Sequence, residues 1–140
     1  MVERAIDGNP VFELSRLDLD RPAPSYTVDL LEVLASPDRE LYFVVGADIL
    51  PELPRWRDPE RIVQLARLAV VTRPGAPAAD LGQVERLSAG GSSRATLVEI
   101  PGLAIASREL RHRVRAGEPI RYLTPLAVER YIAARGLYRA

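Results

Sequence analysis

Leu41-Tyr42-Phe43-Val44-Val45-Gly46-Ala47-Asp48 is the stretch whose reading decides the fold. Five consecutive apolar or aromatic residues, β-branched toward the end, predict a strand buried on both faces. Such strands belong to parallel sheets covered by helices. The run stops at Gly46, with Asp48 two residues on. In open α/β sheets ligands bind beyond the carboxyl ends of the strands. A glycine there lets backbone approach a ligand, and a carboxylate accepts hydrogen bonds from ribose hydroxyls. A Gly-x-Asp after a buried strand also serves as a plain turn, and spacing alone leaves both readings open.

The flanking sequence repeats the alternation of strand and helix that such a sheet needs. Val11 to Leu17 alternates apolar and polar residues, as a half-exposed or edge strand does. Arg21-Pro22-Ala23-Pro24 interrupts regular pairing, and Ser25 then reads as the N-cap of a helix with Val28, Leu31, Val33 and Leu34 on its apolar stripe. Ile49 to Arg57 reads as a loop stiffened by Pro51 and Pro54. Asp58-Pro59-Glu60 is a strong helix start, with an acidic N-cap and proline at the first helical position. Leu68 to Thr72 and Thr96 to Ile100 are the next strands. Ala76 to Gly91, rich in Ala, Gly and Pro, reads as a variable connection. Ser107 caps a short helix closed by Gly117, and Thr124-Pro125 opens a final one closed by Gly136. The chain opens on the last turns of a helix, Met1 to Ile6, closed by Asp7-Gly8-Asn9-Pro10, so it reads as starting inside an element.

Composition narrows the chemistry. Of 140 residues, 47% are hydrophobic and 27% charged, values of a globular chain able to bury a core. Nineteen basic residues balance nineteen acidic ones, which gives no electrostatic footprint for nucleic acid or a membrane surface. There is no cysteine and one histidine, His112, so structural zinc, iron–sulfur clusters and thiol catalysis are excluded. His112 stands among Arg111, Arg113 and Arg115 and reads as part of a solvated basic helix face. The lack of cysteine is compatible with a cytoplasmic protein. No apolar run reaches the length of a membrane span, and no basic region followed by an apolar one marks a signal peptide.

Six short motifs stand in order along the chain: Pro24-Ser25-Tyr26-Thr27, Gly46-Ala47-Asp48, Leu53-Pro54-Arg55-Trp56, Arg73-Pro74-Gly75, Ile105 to Arg111, and Arg121-Tyr122-Leu123-Thr124-Pro125 through Gly136-Leu137-Tyr138. In this order the chain resembles the bacterial nicotinate mononucleotide adenylyltransferases. The resemblance implies an α/β Rossmann-like nucleotidyltransferase fold, with residues 1–140 forming a single domain that is the C-terminal two-thirds of the family's. It implies an enzyme of NAD biosynthesis that joins ATP, carried with Mg²⁺, to nicotinate mononucleotide, giving deamido-NAD and pyrophosphate. The partners implied are these two small molecules, with self-association left open.

The resemblance also implies site residues. Gly46, Asp48, Ile105, Ser107 and Arg111 match the ATP side, with Gly46 and Asp48 facing the adenosine. Tyr26, Thr27, Trp56, Arg57 and Arg73 match the nicotinate mononucleotide side, with Trp56 stacked on the pyridine ring. Each has a plainer role open to it: helix capping for Tyr26 and Thr27, packing under a loop for Trp56, a solvated turn for Arg73. Two departures stand in the phosphate motif, where Ala106 replaces a serine and Arg108 a threonine. The family's opening motif, Gly-x-Phe-Asp-Pro-x-His-x-Gly-His, has no match, so no catalytic residue and no metal ligand is assigned in this chain. The expectation is a polypeptide that is marginally folded and inactive or very weak by itself. A non-catalytic remnant that binds nucleotide or a partner is the alternative reading, and an adenylyltransferase for pantetheine phosphate a lesser one.

Overall fold

In the computed structural model, residues 1–72, 79–88, 94–102 and 105–139 are described. They divide into two compact units, Leu17–Leu103 and Met1–Arg16 with Ala104–Ala140.

The first unit is built on a parallel sheet of β1 (Leu41–Gly46), β2 (Ala66–Val71) and β3 (Ala95–Val98), in that order. Register pairs Leu41 with Ala66, Phe43 with Leu68 and Val45 with Val70, so the odd-numbered residues of β1 share one face of the sheet with the even-numbered residues of β2. That face carries the core: Val45, Ala66, Leu68, Val70 and Ala95 are buried. α2 (Thr27–Leu34), α3 (Pro59–Leu65) and α4 (Gly82–Leu87) contribute Val28, Leu31, Ile62, Val63 and Val84 to the same cluster. Burying each such aliphatic side chain stabilises the fold by about 1.5–3 kcal/mol before entropy is counted. β1 passes to β2 through α3. A helix that crosses over between two parallel strands runs back along them, so the start of α3 faces the carboxyl end of the sheet.

Between β1 and α3 runs a 3-10 helix, Ala47–Arg55, with both prolines inside it. A loop was expected here, and the reason for the helix lies in the spacing of its apolar residues. Ala47, Leu50 and Leu53 recur every third residue, the repeat of a 3-10 helix, and all three are buried. Trp56 continues the series and packs partly buried against the core.

In the second unit, α1 (Val2–Ile6) packs on α6 (Leu126–Ala134), with Ile120 and Ile132 buried. The Arg4 and Arg135 guanidinium groups lie 5.2 and 5.6 Å from the Tyr131 ring centroid. α5 (Ser107–Arg115) ends at Gly117 and α6 at Gly136, with φ of 73° and 58°, the left-handed conformation that glycine adopts without Cβ cost.

Several expectations are corrected. β1 is buried on one face only: Tyr42 and Val44 are 56% and 63% exposed, because the helices that cover Val45 pack on the other side. Val11 to Leu17 forms no strand. The main-chain N–H of Val11 donates to the Asn9 side chain and that of Phe12 to the Asn9 carbonyl, a local turn rather than a strand ladder, and Val11 is 84% exposed. Ser25, Ser107 and Thr124 do not cap helices; the cap positions are Tyr26, Ala106 and Pro125, with no side-chain cap bond. Asp58 does occupy the N-cap of α3, in a left-handed conformation that aspartate tolerates, with Pro59 beginning the helix.

Candidate functional site

The carboxyl end of β1 gathers several of the residues singled out in the sequence. Gly46 closes the strand opposite Val71. Its backbone is extended and needs no positive φ; a Cβ there would meet only the tip of the Asp48 side chain. Asp48 thus folds back over Gly46 and lies exposed in the first turn of the 3-10 helix. A small residue and an exposed carboxylate are side by side where the strand ends, the arrangement read from Gly46-Ala47-Asp48.

Trp56 follows the 3-10 helix. Its ring meets Phe43 edge to face, with centroids 6.1 Å apart and planes at 64°. Phe43 comes from the inward face of β1, so the tryptophan is anchored by the core while remaining partly open. One side of the ring packs on the core and the rest is open.

Arg57 turns away from Trp56 toward the start of α2. Its guanidinium carbon lies 4.6 Å from the Tyr26 ring centroid, and one terminal nitrogen lies 3.7 Å from an Asp29 carboxylate oxygen. Arg21 donates to the Asp29 backbone carbonyl at 3.1 Å, which ties the proline-stiffened segment before α2 to its first turn. Tyr26, Thr27, Asp29 and Arg57 are therefore one cluster at the N-terminus of α2, beside Trp56 in sequence. Aromatic faces, a cation and the open backbone N–H groups of a helix start suit a flat ring bearing a negative charge.

Asp29 and Phe43 are the members that sequence reasoning missed. Asp29 reads as a first-turn acid favourable to the helix dipole, and nothing in the chain ties it to an arginine 28 positions later. Arg73 lies outside the described residues.

Ile105, Ser107 and Arg111 belong to the second unit. Ser107 is the first residue of α5 and exposed; Arg111 is one turn on, also exposed. Both border a cavity of about 190 Å³ with Met1, Leu110, Thr124 and Tyr138, and the Thr124 hydroxyl is buried without a partner. His112 is exposed on α5, in line with a basic solvated face.

Among the described residues no group of three His, Asp or Glu side chains is placed to hold a metal ion. No helix among them is long and apolar enough to cross a membrane.

Comparison with known proteins bears on this site. No protein-family model matches the chain. Curated proteins do. The chain is 49% identical over 140 residues to a probable nicotinate-nucleotide adenylyltransferase of Roseiflexus sp. strain RS-1, covering 99% of this chain and 70% of that protein. It is 45% identical over 141 residues to the one of Thermomicrobium roseum, covering 99% and 65%. For Streptomyces coelicolor the figures are 48% over 133 residues, 94% and 67%. The chain thus spans about two thirds of the length of these relatives. Among solved structures it is similar to Plasmodium falciparum nicotinic acid mononucleotide adenylyltransferase in complex with NaAD, with a TM-score of 0.63 at 22% identity. The match covers 81% of this chain and 57% of that one, a likeness of fold.

Proposed function

Because the chain belongs to the nicotinate-nucleotide adenylyltransferase family, we propose that it acts in the transfer of the adenylyl group of ATP to nicotinate mononucleotide, in pyridine nucleotide biosynthesis. An oxygen of the mononucleotide phosphate forms a bond to the α-phosphorus of ATP. The bond from that phosphorus to the bridging oxygen breaks, and its electron pair leaves with pyrophosphate. The other product is deamido-NAD. The nucleophile arrives already anionic, so the protein needs neither a side-chain nucleophile nor a strong base. Positioning and charge stabilisation carry the reaction. A chain without cysteine and with one histidine suits that chemistry.

The observation that carries the reading is the cluster at the start of α2. Arg57 stacks on Tyr26 at 4.6 Å and lies next in sequence to Trp56, which is anchored on Phe43. We assign Trp56 to the pyridine ring, and Tyr26, Thr27 and Arg57, with Arg73, to the carboxylate and its surroundings. Gly46 and Asp48 are assigned to the adenosine of ATP, and Ile105, Ser107 and Arg111 to its phosphates. Mg²⁺ enters with the phosphates of ATP as part of the substrate. Both units are read as parts of one adenylyltransferase domain, in a cytoplasmic protein.

Trp56 is the only tryptophan, so its fluorescence reports on the proposed ring site directly. Titration with nicotinate mononucleotide is expected to quench it saturably, while pantetheine phosphate leaves it unchanged. Quenching by pantetheine phosphate instead would replace this substrate reading by the sibling one. With no match to the family's histidine motif among these residues, formation of deamido-NAD from ATP by the 140-residue polypeptide is expected to be absent or very slow. Turnover at ordinary enzyme rates would show that these residues suffice for the reaction without that motif.

A further inference from the structure

Asp29 has no role in the assignment above, yet it holds the residue that does. Its carboxylate reaches Arg57 at 3.7 Å while the guanidinium face rests on Tyr26 at 4.6 Å. Its own main chain is fixed twice, by α2 and by the Arg21 donor at 3.1 Å. Asp29 is the more sheltered partner, with its side chain 27% exposed against 57% for Arg57. A long, mobile side chain is thus fastened at its tip by a short one on a rigid helix turn. One terminal nitrogen of the guanidinium lies within ion-pair range of Asp29 and one face rests on Tyr26, which narrows the range of planes open to its remaining N–H donors. A planar donor edge held in one orientation is what two-pronged recognition of a carboxylate requires.

From this geometry we propose that Asp29 is a positioning residue for the mononucleotide site. It holds Arg57 so that the site prefers a pyridine carboxylate over the corresponding neutral amide. The inference rests on the mononucleotide reading given above and deepens it. It carries a sign that simple electrostatics does not. An acid near an anionic ligand repels it, so if Asp29 contributed only its charge, neutralising it would tighten binding. If it acts by holding Arg57, neutralising it loosens binding, and only for the ligand that Arg57 recognises.

The experiment follows Trp56 fluorescence during titration with nicotinate mononucleotide and, separately, nicotinamide mononucleotide, in the wild-type chain and the variants Asp29→Asn, Arg57→Met and the double variant. An exposed ion pair of this kind carries up to about 1 kcal/mol, so Asp29→Asn should weaken nicotinate mononucleotide binding roughly two- to fivefold. Binding of the amide should not move, so the acid-to-amide preference falls by the same factor. In the Arg57→Met background Asp29→Asn should add nothing, because the residue it acts through is gone. Circular dichroism and melting temperature establish that each variant is folded, and the preference ratio is unaffected by a general loss of stability. Tighter or unchanged acid binding in Asp29→Asn overturns the proposal while leaving the mononucleotide reading intact. So does an equal loss for both ligands, or an additive effect in the double variant. Absence of any response in the wild-type chain removes the mononucleotide reading, and this inference with it.

Discussion

The two ends of the sheet use arginine in opposite ways. At the amino end, Arg67 Nε meets the Glu40 carboxylate at 2.7 Å, and Arg94 donates to the backbone carbonyls of Val63 and Gln64 at 2.8 and 2.6 Å. Those carbonyls lie in the last turn of α3, where acceptors have no partner within the helix. Arg94, one residue before β3, thereby pins the α3–β2 junction to the third strand. At the carboxyl end, Arg57 makes one long ion pair and one stacking contact. Short bonds to fixed acceptors use an arginine up as a fastener. A long pair beside an aromatic face leaves donors for something else. The difference separates a cation used up in packing from one with donors left over, where net charge and spacing do not.

Replacing Leu53 by Ala should have the largest effect, because it removes the buried spacer on which the carboxyl end is built. Leu53 is 1% exposed, and a cavity at such a site costs about 2–5 kcal/mol, read by urea or thermal unfolding. Near-neutral behaviour would mean that the 3-10 helix repacks freely, and the contrast between a rigid and an open end would fail. Arg94→Met comes next. It leaves two α3 carbonyls without their charged donor and should lower stability by about 1–3 kcal/mol. Nicotinate mononucleotide binding by the folded fraction should be unchanged, whereas Arg57→Met should show the reverse pattern. If Arg94→Met weakened binding at constant stability, the amino end would not be purely structural.

Gly46→Ala sharpens the comparison within the carboxyl end itself. The added Cβ meets only the tip of the Asp48 side chain, which can swing away, so the stability change should stay below about 1 kcal/mol. The displaced carboxylate should weaken ATP binding several-fold, measured by calorimetry. Equal ATP affinity would separate Asp48 from the adenosine. The smallest effect is at Glu40. The hydrogen bond from Arg67, and then that from Tyr42, hold its carboxyl below the ordinary glutamate range. Because the folded state binds this proton less readily than the unfolded chain, the contribution is present above an ordinary glutamate pKa of about 4.3 and is lost as pH falls through the lowered folded value. The pair lies at the surface, so Glu40→Gln should flatten only slightly the acid limb of a plot of unfolding midpoint against pH. A change at neutral or alkaline pH would contradict the assignment.

Much of this was legible in the residues. The apolar run Leu41–Val45 and its stop at Gly46 became β1, ending at the predicted residue. Asp58-Pro59-Glu60 did start a helix, and Gly117 and Gly136 did close theirs. These features are local: a β-branched run, a proline at a first helical position and a left-handed glycine act through their own backbone. Caps failed by one position at Thr124 and Ser107 and by one at Ser25, since a hydroxyl competes with water and neighbours for the same N–H groups and wins only when the helix entry angle suits it. The strand expected at Val11 to Leu17 failed because its first two N–H groups turn back onto Asn9, a competition that alternation does not reveal.

By itself, then, the sequence determined the parallel sheet with helices between its strands, the place of Gly46 and Asp48 at its carboxyl end and, through six ordered motifs, the family. Only the tertiary structure decided which face of β1 is covered and that the segment after it is a 3-10 helix delivering Trp56 onto Phe43. The tie between Asp29, Arg57 and Tyr26 was likewise invisible in the chain. Periodicity reports which side chains want burial, through terms that depend on each residue's immediate neighbours. Which face finds a partner, and which carboxylate reaches which guanidinium, depends on elements brought together across tens of residues, and no local preference encodes that meeting.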